Sequence, residues 1–120
     1  MSRDYHKLKV FQIAHELVKE TYKATKGFPK EETFGLVSQM RRAAVSIPAN
    51  IAEGSARKGK KEYMQFLFNA LGSASELEYY IFLSYDLGYL SKDEHDVLEN
   101  IESQVGKMLQ GLIKALRSIA

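Results

Sequence analysis

Three groups of side chains in this chain are of types that can do chemistry. The first is a polar stripe, Gln39, Arg42, Ser46, Asn50 and Glu53, spaced by three or four residues. At about 100° per residue these positions share one side of a helix. That side adjoins an apolar one made of Leu36, Met40, Ala43, Ile47 and Ile51. An arginine, an amide and a carboxylate on one face are parts of an anion-recognition or acid–base site. However, Arg42 and Glu53 lie eleven residues apart, about three turns, too far to touch within a straight helix. The stripe is therefore read first as a structural polar network whose members pair with another helix or another subunit. A recognition role and an enzyme built on Arg42, Asn50 and Glu53 are the alternatives.

The second group is the histidines, His6, His15 and His95. They lie on different segments. None is read as having the i, i+3 or i, i+4 carboxylate–histidine set of di-metal bundles. His15 and Glu16 are adjacent, so on a helix they point about 100° apart. There is no cysteine, hence no thiolate ligand, cysteine nucleophile or disulfide. Residues 54–61, Gly-Ser-Ala-Arg-Lys-Gly-Lys-Lys, hold glycines and lysines without the spacing of a phosphate-binding loop. No metal, no cofactor and no catalytic residues are expected.

The third group is the lysines and arginines. Residues 1–61 hold 13 Lys/Arg against 6 Asp/Glu, and residues 62–120 hold 4 against 9. The halves carry +7 and −5 although the whole chain carries only +2. Such asymmetry prompts a search for a basic surface.

The elements that must position these groups are helices. The spacing predicts four, at about 8–26, 30–53, 60–87 and 91–119, in one domain spanning 1–120. Gly27, Gly54 and Gly88 follow periodic apolar runs as left-handed C-terminal residues would. Pro29 sits where a helix can begin again. Ser91-Lys92-Asp93-Glu94 reads as a capping box. Expected core stripes are Val10, Phe11, Ala14, Leu17, Val18 and Tyr22 in the first helix, and Val97, Ile101, Val105, Met108, Leu112 and Leu116 in the fourth. In the third they are Tyr63, Phe66, Leu67, Ala70, Ala74, Leu77, Ile81 and Tyr85. Three short loops favour an antiparallel up-down-up-down four-helix bundle, an all-α fold. Pro48 removes a backbone donor and disfavours helix at Ile47, so a kink or short break is expected there.

Two surfaces point to self-association. The back of the second helix holds only small or short residues, Ser38, Val45, Ala49 and Ala52, where a solvated helix shows Lys and Glu. The third helix carries a second apolar stripe, Met64, Phe68, Tyr79, Phe82 and Leu83, which a bundle helix does not need. A homo-oligomer using Val45, Ala49, Ala52, Met64, Phe68, Tyr79 and Phe82 is expected.

In the expected topology one end gathers Arg3, Lys7, Lys9, Arg57, Lys58, Lys60, Lys61, Lys114 and Arg117. The other gathers Glu31, Glu32, Asp86, Asp93, Glu94 and Asp96, diluted by Lys26, Lys30 and Lys92. Matching of charges to helix dipoles explains Lys114 and Arg117, at about 0.3–1 kcal/mol each. It does not explain Lys7, Lys9, Lys58, Lys60 and Lys61 at helix starts, where the dipole is already positive. Cations at helix N-termini make an anion site, and phosphate backbone is the obvious polyanion. Most aromatics fall at core spacing, so base stacking and sequence-specific reading are not indicated. No signal-peptide core and no apolar run of membrane length is seen, so a cytoplasmic protein is expected.

Residues Phe28-Pro29, Glu32, Phe34-Gly35-Leu36, Gln39, Arg41-Arg42-Ala43, Ser46-Ile47, Asn50-Ile51 and Glu53-Gly54 form one block. Phe66-Leu67, Ala70, Gly72-Ser73, Glu76-Leu77-Glu78 and Leu87-Gly88 form another. Together they resemble the four-helix-bundle family named after proteins encoded in 23S ribosomal RNA intervening sequences. The likeness spans roughly residues 5–116. The chain is also similar to the accessory protein of diversity-generating retroelements, a basic pentameric barrel that works with a reverse transcriptase and nucleic acid. The resemblance implies an antiparallel bundle assembled as a homopentamer. The resulting expectation is a non-catalytic oligomeric accessory protein binding RNA, or DNA, through a basic end or ring. The alternative is a homo-oligomeric interaction scaffold for a polymerase or reverse transcriptase.

Overall fold

A computed structural model describes residues 4–119. Four helices are present: α1 (Lys9–Thr25), α2 (Leu36–Ser55), α3 (Lys60–Asp86) and α4 (Lys92–Arg117). Short 3-10 turns occupy Tyr5–Lys7 and Lys30–Glu32. Each helix packs on its neighbours in sequence and α1 closes onto α4, while the backbones of the diagonal pairs stay more than 8 Å apart, Cα to Cα, among the described residues. The α1–α2 link touches the α3–α4 link, through the Phe28 ring, tilted by 52° with its centroid 5.3 Å from that of Tyr89, and the Tyr89 hydroxyl donating to Glu32 Oε2 at 3.0 Å. At the far end Lys60 Nζ donates to the Ile119 carbonyl, tying the start of α3 to the finish of α4. These contacts give an all-α, up-down-up-down bundle, elongated to 48 × 22 × 20 Å.

One core runs through all four helices. Leu17, Met40, Ile47, Ile51, Leu67, Leu77, Ile81, Leu98 and Leu109 are its largest fully buried apolar side chains. Each fully buried aliphatic side chain contributes about 1.5–3 kcal/mol. The expected α2 face is buried as read. In α1 the buried stripe is Val10, Ala14, Leu17, Thr21 and Thr25, and Tyr22 is exposed. The threonines are tolerated inside because each hydroxyl bonds back along the helix, to the Leu17 and Thr21 carbonyls, both at 2.7 Å. In α4 the buried stripe is Leu98, Glu102, Val105, Leu109 and Ile113, rotated by about 70° from the expected one, with which it shares only Val105, and Val97 is exposed. A carboxylate in the middle of the true stripe disguises it. In α3 Ser84 takes the inward place expected for Tyr85, which is exposed, and Phe66 is only half-buried.

Only Gly88 is left-handed among the described residues, with φ +82°. It ends α3 in a Schellman motif: Tyr89 N–H donates to the Ser84 carbonyl and Gly88 N–H to that of Tyr85. Gly54 serves a different purpose. It lies inside α2, and a Cβ there would stand 2.7 Å from Phe66 Cβ and 3.1 Å from Tyr63, so α3 packs directly on bare backbone. Helix α2 begins at Leu36, six residues after the expected start. The 3-10 turn at Lys30–Glu32 and the Thr33-Phe34-Gly35 turn intervene, and Glu32 Oε1 accepts from Leu36 N–H at 3.2 Å. There is no break at Pro48: the helix continues through it, with the proline ring buried.

Candidate nucleic-acid interface

Local sequence decides how each helix start is finished. Helix α4 opens with a complete capping box, Ser91 Oγ accepting from Glu94 N–H at 3.1 Å and Glu94 Oε1 from Ser91 N–H at 2.8 Å. Asp93 and Glu94 place negative charge in its first turn. Helices α1 and α3 start at the other end, behind Leu8 and Gly59, with no side-chain cap. The first turn of α1 has no acid, and that of α3 has only Glu62. Lys7, Lys9, Lys58 and Lys61 surround these two starts and are exposed. Lys114 and Arg117, in the last turn of α4, are exposed at the same end.

Three of the expected basic residues are engaged within the chain. Lys60 is held by the Ile119 carbonyl. Arg57 pairs with Glu53 at 2.7 Å and its guanidinium stacks 4.8 Å from the Phe66 ring centroid. Arg117 lies 5.2 Å over the Phe68 ring, which joins the basic end to the second apolar stripe of α3. Arg3 lies outside the described residues.

The polar stripe of α2 divides. Ser46 Oγ accepts from Ser73 Oγ at 2.8 Å, which links α2 to α3, and from Asn50 Nδ2 at 2.9 Å. Asn50 also donates to the Ser46 carbonyl at 2.8 Å. Gln39, Arg42 and Ser46 line one groove with Ser73 and Glu76. Glu53 turns instead to Arg57 on its own chain segment, one turn on, not to another helix. Arg42, Asn50 and Glu53 therefore do not converge on one cavity. Arg41, the other arginine of the pair, fastens α2 to the finish of α1: Nε donates to Thr25 Oγ1 at 2.9 Å and the guanidinium lies 4.4 Å over Tyr22.

Of the proposed association surface, Phe68 is 37% exposed, Tyr79 56% and Phe82 62%. Val45 and Ala49 are exposed, and Ala52 and Met64 half-buried. Phe34, at the tip of the α1–α2 link, is 96% exposed.

Two features go beyond the sequence pattern. His95 does have a carboxylate four residues on: Nε2 stands 3.2 Å from Glu99 Oε2, and Nδ1 3.0 Å from Asp96 Oδ1. The i, i+4 spacing of His95 and Glu99 carries this pair in the sequence. Hydrogen bonds from Lys92 and His95 hold the Asp96 carboxyl below its ordinary range. Still, no three His, Cys, Asp or Glu side chains are grouped to hold a metal ion among the described residues. The second feature is Glu102. It is 5% exposed, and its Oε1 has no hydrogen-bond partner among the described residues. Burial first, then the nearby Glu78 and Glu99 charges, push its carboxyl up to about 7.

No helix among the described residues is long and apolar enough to cross a membrane. No curated protein matches the chain. Among solved structures it is similar to a protein with unknown function from the S23 ribosomal protein family of Bacteroides thetaiotaomicron VPI-5482. The two are 25% identical, with a TM-score of 0.79 over 88% of this chain and 98% of that one. The family model for 23S rRNA-intervening sequence proteins matches residues 6–111, and the chain belongs to that family.

Proposed function

We propose that this chain is a non-catalytic, homo-oligomeric accessory protein of the cytoplasm that binds nucleic acid, RNA foremost, through its basic end. One observation carries the reading. Two helix starts without side-chain caps stand at the end where Lys7, Lys9, Lys58, Lys61, Lys114 and Arg117 are exposed. Uncapped N–H groups and positive dipole ends attract anions, and the lysines add mobile charge that a helix start alone does not favour. A polyphosphate backbone satisfies both, and a ring of subunits, five by resemblance, multiplies the charge. Contacts to phosphate carry no sequence information, so binding is nearly independent of sequence.

Because Lys60 also holds Ile119, the cleaner test reverses Lys58 and Lys61 alone. Binding is measured by anisotropy of labelled single- and double-stranded RNA and DNA at about 50 mM salt, where the electrostatic contribution is strong. The double variant loses roughly tenfold or more in affinity with helix content intact. Reversal of Lys23 and Lys26, toward the other end, changes it less than about twofold. A wild-type protein that binds none of the four probes overturns the proposal.

The second reading, an interaction scaffold for a polymerase or reverse transcriptase, has its own observation. Tyr79, Phe82 and Phe34 expose aromatic surface that the subunit does not cover. It takes first place if nucleic-acid binding fails while the protein still assembles.

A further inference from the structure

Glu102 is a carboxylate within the core stripe of α4 with one oxygen lacking a hydrogen-bond partner among the described residues. Leaving a buried acceptor of this kind unpaired costs more than most hydrogen bonds return. The carboxylate nevertheless reaches a groove between α3 and α4, lined by Ser75, Glu78, Glu102, Ser103, Gly106 and Lys107 among others. Gly106 borders the carboxylate, and a Cβ there would sit in ordinary van der Waals contact with Glu102 Oε2, at 3.7 Å. Lys107 shares the groove but makes no ion pair with Glu102 among the described residues. Negative charge from Glu78 and Glu99 favours a cation over a neutral donor as the missing partner.

The surroundings narrow the source of that cation. Glu78 and Glu99 also frame exposed Tyr79 and Phe82, an aromatic rim that neither a metal ion nor a small amine would cover. The same chain carries a surface of the complementary kind on α2. Arg42 is exposed and without an ion pair among the described residues, and exposed Val45 and Ala49 lie one and two turns further on. A guanidinium fork matches a carboxylate better than an ammonium does.

We propose that the α3–α4 groove around Glu102 receives the Arg42 guanidinium of a second copy of this chain, joining subunits head to tail. The inference rests on the homo-oligomer of the proposed function and adds its contact and its direction. Two different surfaces meeting in this way build a ring when the rotation closes. The contact needs Glu102 ionised. With its carboxyl at about 7 in the lone subunit, facing Glu78 from α3 and Glu99 and Lys107 from α4, association strengthens as pH rises from about 6 to 8.

Sedimentation velocity at micromolar concentration and pH 8 tests this, with circular dichroism to follow the fold. Glu102→Gln and Arg42→Gln each weaken self-association by about 30-fold or more, and Glu102→Gln also removes its pH dependence. Mixed together, the two variants recover one intact contact per pair and form dimers but nothing larger. Should Glu102→Gln lose helix content, Arg42→Gln and Arg42→Lys decide: reduced association in both upholds the contact, and wild-type association in Arg42→Gln overturns it. A wild type that assembles while Glu102→Gln, folded, assembles equally well overturns this inference alone. A monomeric wild type overturns the homo-oligomer as well.

Discussion

At one end of the bundle the helices are finished by their own side chains. Ser91 and Glu94 close the start of α4, Glu32 accepts from the start of α2, and Gly88 turns α3 through a Schellman motif. Tyr89, bonded to Glu32, then ties the two links together. At the opposite end α1 and α3 start behind Leu8 and Gly59, and most of the charges around them are positive, Asp4 and Glu62 being the exceptions. The first arrangement satisfies orphan N–H groups internally and gains stability from the dipole. The second forgoes that gain and leaves the same groups for an external anion. The contrast separates an end whose helix starts are closed from within from one whose starts are left open.

The buried carboxylate between the ends gives the largest stability effect expected. Folding raises the Glu102 carboxyl from its ordinary 4.5 to about 7. Between those values the folded chain keeps a proton that the unfolded chain releases. The lone subunit therefore loses stability as pH rises from about 4.5 to 7 and levels off above, by about 3 kcal/mol in all. Denaturation at protein concentrations below self-association checks this. In Glu102→Gln the slope disappears and stability at pH 8 rises; a slope unchanged in that variant assigns it to other groups.

The glycines separate the ends next. Gly54→Ala, where α2 meets α3 toward the basic end, forces the helices apart against Phe66 and Tyr63 and costs about 1–3 kcal/mol. Gly88→Ala, at the capped end, meets no atom within 4 Å and suffers only its φ of +82°, a cost of about 1–2 kcal/mol. Urea unfolding of both variants tests the distinction, and a smaller loss for Gly54→Ala would contradict it.

The smallest effects sharpen the comparison of caps. Ser91→Ala removes half of the capping box and costs about 1 kcal/mol without touching nucleic-acid affinity. Gly59→Asp supplies a cap that α3 lacks, at a site whose φ of −93° suits any residue. It changes stability by only a few tenths of a kcal/mol. Its negative charge among Lys58, Lys60 and Lys61 nevertheless weakens binding several-fold. If it stabilises strongly and leaves binding intact, the bare helix start has no part in recognition.

Helix number, order and the α2 core face were legible in the sequence because their apolar period is clean and Ser91–Glu94 is an unambiguous start. Boundaries and rotations failed where local chemistry overrode that period. Thr21 and Thr25 look polar yet hide their hydroxyls against carbonyls one turn back. Glu102 interrupts the Leu98–Ile113 stripe and diverts the reading to Val97, Ile101 and Met108. Glycine identity did not distinguish the left-handed turn at Gly88 from the close helix approach at Gly54, because one residue type permits both. The basic end was legible as a cluster, and the i, i+4 spacing of Glu53 and Arg57 carried their ion pair, but the engagement of Lys60 and Arg117 was not legible, since Ile119 and Phe68 are brought near them only by the tertiary packing.

The salt dependence of binding tests the central claim most directly. Affinity of the wild type for labelled RNA and DNA is measured from about 50 to 200 mM salt, beside the Lys58→Glu/Lys61→Glu variant. Log affinity should fall linearly with log salt, by about 0.7 per phosphate neutralised on single strands and about 0.9 on duplex DNA. The variant, if it still binds measurably, should show a slope flatter by about two such increments. Binding that ignores salt, or a slope identical in wild type and variant, would contradict a basic end that recognises phosphate backbone.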